Sequence, residues 1–429
     1  MSRKLLSAAL WTLVVPGAYT VVPVAAAAVP TAITHARLLT VSHGVIDDGT
    51  LVIADDKLVA VGGPQTPVPP GASIYDASGM TVYPGLIDAL DSDGVTNGAI
   101  NQSQARHHEY PLGTPVPDLS VATAIKPTEN IFVDRLNGVL NAGVSPGTDG
   151  PEPGQAAFIQ FTDDRAGMVL APNLALVLNF GKGSQRKDAY PSTAFGVAGF
   201  FRQQLTQLRD YRSGVGLRGA DGKQIPDPRL VALIPFADGQ RPIFAYARSD
   251  AEIGVALDIA QEFGLQIVLV GASGADQEID RIAAAKVPVI FGSIWDIPGD
   301  AQRFDHTFSL PARLQRRGVK IAIATFSEAA GGVRNLPYAA GYAVAYGLSY
   351  DEALRAITLS PAEILGFGAS LGSLDVGKAA NIVVANGDPL DVATDVKQVF
   401  IRGVAIAMQS PQTVLRDKYQ KVGKSAVRN

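Results

Sequence analysis

The chain has 429 residues, of which 47% are hydrophobic and 18% charged, a balance that supplies a large core and excludes a mainly disordered polypeptide. Its net charge of −4 and the lack of any Lys/Arg run beyond Arg316-Arg317 leave no basic footprint, so nucleic acid is not an expected partner. With no cysteine and five histidines, disulfides and thiolate chemistry are excluded, and reactive groups must be carboxylates, hydroxyls or the few imidazoles.

Residues 1–28 read as a cleaved signal peptide: Arg3 and Lys4 form a positive start, Leu5 to Val15 an apolar run, and Ala25 to Ala28 a small-residue cleavage site. The expected location is therefore periplasmic or secreted. Residues 31–83 then alternate short apolar, β-branched runs with turn signals, as in "ITHARLLTV" and "GTLVIADDKLVAVGG", and predict an all-β prelude. The adjacent His107-His108 lie in a Pro/Gly-rich polar stretch that reads as a loop, not a metal site, because neighbouring side chains point apart.

From residue 241 the rhythm changes to strand then helix. "RPIFAY" is a short apolar strand, and Ser249 with Glu252 forms a capping box that opens a helix whose apolar residues recur at helical spacing until Gly264 stops it. "QIVLVG", "VPVIFG" and "VKIAIAT" predict further strands buried on both faces. Such repetition fits a (β/α) barrel, whose reactive groups sit at the C-terminal ends of strands. Ser349 with Glu352, and Ser360 with Pro361 and Glu363, predict two more capped helices. The tail, "GSLDVGKAANIVVANGDP" and "DVKQVFIRGVAIAM", returns to the style of the prelude, so the two ends are expected to share one β unit. The expected division is 1–28 signal peptide, 29–83 with 370–429 as the composite β unit, and 84–369 as the barrel.

"YPGLIDA" at 83–89, the segment from Leu336 to Leu390 and the flanking β runs together resemble the amidohydrolase superfamily, in its imidazolonepropionase-like and prolidase-like branch. That resemblance implies an α/β fold, a distorted (β/α)8 TIM-type barrel plus a small composite β-sandwich from both chain ends. It also implies hydrolysis of amide, ureide or other C–N bonds by water activated on one or two divalent metals. The family's ligand positions, however, are filled otherwise here. Its first strand carries two histidines where this chain has Leu90 and Ser92; Tyr246 and Gly271 stand at the later ligand positions; and the last-strand aspartate, metal ligand and general base, corresponds to Phe326 within Thr325-Phe326-Ser327. A phenyl ring neither binds a divalent cation nor accepts a proton.

Asp91 and Asp93 are out of phase with Leu90 and Ser92 and should face away from the barrel unless a bulge intervenes. Asn179 and Lys182 are the available candidates for the family's bridging ligand. The expectation is a protein without metal or other cofactor, catalytically silent. Its barrel mouth, formed by Ser92, Tyr246, Arg248, Phe326 and Ser327, would bind a small anionic ligand or peptide, and the protein would act as a homo-oligomer or beside a metal-competent relative. Were Arg248 inside the barrel, it would need a partner. The alternative is a C–N bond hydrolase with a non-standard or metal-independent site.

Overall fold

The computed structural model describes residues 29–91, 116–127, 129–186, 190–292, 294, 303–326 and 332–426. Residues 1–28, expected to form a signal peptide, and Ser92, Asp93, His107-His108 and Ser327 lie outside the described residues.

The prelude forms β1 (Thr31–Leu39), β2 (Val45–Ala54), β3 (Lys57–Gly62), β4 (Ser73–Asp76) and β5 (Thr81–Pro84). Asp55, at φ 54°, turns β2 into β3 over Asp55-Asp56. The barrel strands follow: β6 (Leu86–Asp91), β7 (Val139–Val144), β8 (Gly154–Gln160), β9 (Val169–Asn179), β10 (Ile243–Ala247), β11 (Ile267–Gly271), β12 (Val289–Phe291) and β13 (Ile321–Ile323). The tail adds β14 (Ile382–Ala385), β15 (Val396–Ile401) and β16 (Val404–Ile406).

One sheet runs β16-β15-β14-β5-β1-β2-β3, with β4 on β1. The two ends of the chain meet where β14 pairs antiparallel with β5, Ile382 opposite Pro84 and Val384 opposite Val82. Ile33, Leu51, Val82, Ile382, Val384 and Phe400 form its apolar core.

The second sheet, β6 through β13 in chain order, curls into a nearly closed barrel. Period-two alternation sorts its side chains into two layers. Phe244 and Tyr246 of β10 and Val268 and Val270 of β11 fill the interior. Ile243, Ala245, Ile267 and Leu269 face outward into the layer beneath the helices.

The barrel departs from an all-parallel (β/α)8 pattern at β8, which is antiparallel to both β7 and β9, whereas β6–β7 and β9 through β13 pair in parallel. The connections explain this. A parallel return needs a crossover of about a dozen residues or more, whereas residues 145–153 join β7 to β8 without a helix and a single turn, Arg165–Met168, lies between β8 and β9.

The helix Asp250–Phe263 begins at the Ser249/Glu252 capping box and ends at Gly264, φ 67°. Ser349 likewise caps Tyr350–Ala356. The box expected at Ser360 does not form: the helix Leu359–Ile364 starts two residues earlier, with Thr358 before it, and Ser360 is buried inside it. Its would-be partner, Glu363, instead pairs with Lys320 at 2.7 Å and Arg355 at 2.8 Å.

Candidate functional site

A cavity of about 620 Å³ opens at the C-terminal ends of the barrel strands. Leu90 and Asp91 from β6, Tyr246 and Arg248 at the end of β10, Val270 and Gly271 of β11, and Phe326 beyond β13 contribute to its wall. Two loops complete it, one bearing Ser145, Gly147 and Thr148, the other Gly181, Lys182 and Gly183.

Leu90 points into the interior, in the cluster with Phe244 and Tyr246. Asp91 does not face away as strict alternation requires; it too lines the cavity. The β6–β7 register shifts between Asp88 and Asp91, and Ile87 and Leu90, three residues apart, both enter the interior cluster. A bulge has reset the phase. Asp88 is committed to structure: its carboxylate accepts from the Thr325 N–H at 3.1 Å, the Thr325 hydroxyl at 2.5 Å and the Leu90 N–H at 3.2 Å.

Phe326 stands on the left-handed side of backbone space, at φ 54°, a conformation that costs a β-carbon-bearing residue about 1–2 kcal/mol. Its N–H donates to the Leu90 carbonyl at 3.2 Å. Its ring meets Tyr246 edge to face, with centroids 6.3 Å apart, and lies over Gly292, where an added Cβ would overlap it. Tyr246 is nearly buried, and its hydroxyl donates to Ser145 Oγ at 2.7 Å. Burial pushes that phenol well above its ordinary range, with the Ser145 hydrogen bond opposing.

Arg248 is exposed at the rim, so the cost attached to an interior guanidinium does not arise. Gly271, φ 96°, has no side chain to offer an ion; a Cβ there would press the Arg248 stem at 3.2 Å. Glu252 lines the cavity, but its carboxylate is engaged in the cap, accepting from the Arg248 N–H at 2.8 Å and the Ser249 N–H at 3.2 Å. Asn179 is used internally: its amide donates to the Thr148 and Gly150 carbonyls, and its oxygen accepts from the Gly181 N–H at 2.9 Å. Lys182, by contrast, is exposed and faces the cavity.

Among the described residues, donors for a divalent cation do not gather here. Leu90, Gly271 and Phe326 present carbon or hydrogen, and among the described residues no three His, Cys, Asp or Glu side chains converge on one point. The described histidines serve elsewhere: His35 and His43 are exposed beside Asp76 and Asp375, and His306 opens a helix with Nε2 at 2.8 Å from Asp276. The wall combines an apolar-aromatic surface with two exposed cations, the carboxylates of Asp91 and Glu252, and a buried hydroxyl pair.

Sequence reasoning did not find Ser145, Gly147 and Thr148, because the loop bearing them belongs to the reversed β8 hairpin. The glycines of "NFGKG" were the available signal for the other loop. Gly183 has no room for a Cβ against the Thr148 carbonyl, so the two loops touch backbone to backbone.

A model of the amidohydrolase family matches residues 278–406, a stretch that runs from the helix before β12 through β16. Amidohydrolase tasK from Hapsidospora irregularis is 25% identical over 395 residues, covering 84% of this chain and 39% of that protein. The chain thus spans well under half the length of that relative. Among solved structures, an amidohydrolase from Thermotoga maritima MSB8 superposes with a TM-score of 0.79 at 24% identity, covering 88% of this chain and 100% of that one. A prolidase superposes with a TM-score of 0.57 at 19% identity, over 89% of this chain and 100% of its own. The family segment at residues 278–406, the likeness to tasK over 84% of this chain and the barrel joined to a sheet built from both chain ends point the same way: the chain carries an amidohydrolase-family segment and is similar to the amidohydrolase superfamily along most of its length.

Proposed function

We propose that this protein uses the amidohydrolase barrel to bind a small anionic molecule, without metal-activated water. One observation carries the reading: Phe326, which the sequence resemblance sets at the place of the family's catalytic aspartate, has its backbone held left-handed and its ring seated over Gly292. The hydrogen bond to Leu90 and the Tyr246 edge contact hold that ring against the cavity wall. Lys182 and Arg248 supply positive charge at the rim, and Leu90, Val270 and Phe326 supply apolar surface beneath. Export through residues 1–28, and association with a second copy or a metal-competent relative, belong to the same reading. Sequencing the N-terminus of protein recovered from its host tests the first; an intact Met1 in a cytoplasmic fraction would refute it.

The test uses metal analysis and calorimetry on the full chain. Protein purified without chelator should hold well below one zinc, manganese or iron per chain. Phenylbutanoate should bind, and Lys182→Ala and Arg248→Ala should each weaken it about two- to fivefold. A stoichiometric divalent ion, removed by chelator together with amide hydrolysis, would overturn the proposal.

A second reading, a C–N bond hydrolase with a non-standard site, is favoured by one feature, the Asp91 carboxylate that the β6 bulge brings to the cavity wall. The similarity of a short segment to N-substituted formamide deformylase of Arthrobacter pascens points to the same bond class. Under that reading Asp91→Asn abolishes hydrolysis of a formamide or dipeptide panel; under the first, the wild type shows none to lose.

A further inference from the structure

We propose that Ser145 and Tyr246 form the deep hydrogen-bond donor of this cavity, and that the ligand is a small carboxylate carrying a carbonyl oxygen on its apolar body. This rests on the anion-binding reading and deepens it by naming what selects among anions. Ser145 Oγ accepts from the Tyr246 hydroxyl at 2.7 Å and from the Gly147 N–H at 3.0 Å. A serine hydroxyl has two lone pairs and one proton. Two incoming donors occupy the lone pairs, so the Ser145 proton is left for a further acceptor.

Reversing the mutual bond changes nothing essential. Ser145 would then donate to Tyr246, and the phenol would hold the spare proton. In either orientation the pair owns two protons and uses one internally. Burial keeps the phenol protonated, and therefore a donor, throughout the neutral range. Both side chains are almost wholly buried and line the cavity, so the surplus donor faces the space where a ligand sits. Buried donors are normally matched. An acceptor oxygen at depth would match this one.

The charge pattern gives the other end of the molecule. Lys182 and Arg248 are exposed, while the hydroxyl pair is buried. A ligand satisfying both carries its carboxylate outward and its carbonyl inward, with an apolar stretch against Leu90, Val270 and Phe326.

Calorimetry with two probes of nearly equal shape tests this: phenylbutanoate and benzoylpropanoate, which adds a ketone to the same skeleton. The full chain should bind benzoylpropanoate about tenfold more tightly. In the Ser145→Ala/Tyr246→Phe double variant the affinity ratio should fall to near one. Each single variant, which keeps one hydroxyl, should give an intermediate ratio and serves if the double variant does not fold, as judged by thermal unfolding. Equal binding of the two probes to the wild type, or a tenfold ratio that survives loss of both hydroxyls, would overturn the inference and leave the anion-binding reading standing. If neither probe binds, that reading fails and this inference with it.

Discussion

A Cβ added to Gly292 would overlap the ring of Phe326 and lie 2.8 Å from the Ala324 carbonyl oxygen. The two residues are therefore one steric unit: a ring at 326 in a left-handed backbone requires a bare backbone at 292. Gly292→Ala should cost about 1–3 kcal/mol, the usual penalty of overpacking. Placed in a Phe326→Ala background, the same substitution should cost at least about 1 kcal/mol less, because only the carbonyl contact remains. Urea denaturation of the four proteins measures this, and equal costs in both backgrounds would separate the two residues. The contact was not legible in the sequence. That a phenylalanine stands where the family resemblance implies an aspartate could be read by comparing motifs, but the backbone conformation and the ring's seat come from packing between strand ends far apart in the chain.

At the scale of elements, the loop between β7 and β8 deserves a titration. It carries Ser145, Gly147 and Thr148 to the cavity, and also Glu152, which turns the other way into an apolar cleft lined by Leu176, Phe201, Leu233 and Phe236. Among the described residues neither Glu152 carboxyl oxygen forms a hydrogen bond. Burial pushes its pKa up to about 8; Gln204 and Arg229 oppose the shift and Asp118 adds to it. The sign follows from linkage. Between the ordinary carboxylate pKa of 4.5 and about 8, the folded chain keeps a proton that the unfolded chain has released. Stability therefore falls as pH rises through that window, by roughly 1.4 kcal/mol per pH unit, and levels off above it. Glu152→Gln should remove this slope and be the more stable protein at pH 8, with the advantage shrinking toward pH 5. Thermal unfolding across that range decides it; parallel slopes in both proteins would mean that the carboxyl ionises freely in the fold.

Elements were read unevenly from sequence, for physical reasons. The strands β10 to β13 and the Ser249 box are local signals, and local chemistry decides them. The reversal at β8 is set by loop length, and the turning of Asp91 to the cavity wall by a bulge in β6. Both depend on how neighbouring strands register, which alternation along a single strand does not encode.

For the molecule as a whole, the decisive joint is β5 against β14. Val82 and Val384 sit opposite each other there and share one apolar core. A chain ending before residue 370 would lose β14 to β16 and leave β5 with an unpaired edge and an uncovered apolar face. Such a truncation should aggregate or bind a hydrophobic dye, whereas a soluble variant that unfolds cooperatively would show that the N-terminal strands and barrel stand without the tail.

The barrel has a related weak line. Its ladder order ends at β6 on one side and β13 on the other, and the Asp88 carboxylate bridges the gap to Thr325 while the Phe326 N–H reaches Leu90. Among the described residues this seam is held by the Asp88–Thr325 contacts and the Phe326 amide rather than by a ladder, and such a seam opens more readily than a continuous ladder. Breathing of the wall therefore begins beside the mouth of the cavity, and the amides of Thr325 and Phe326 are where hydrogen exchange should register it first. The Phe326 ring is mounted on the most easily parted edge of the barrel, so under the proposed binding reading the passage of a ligand and the loosening of the fold share one hinge.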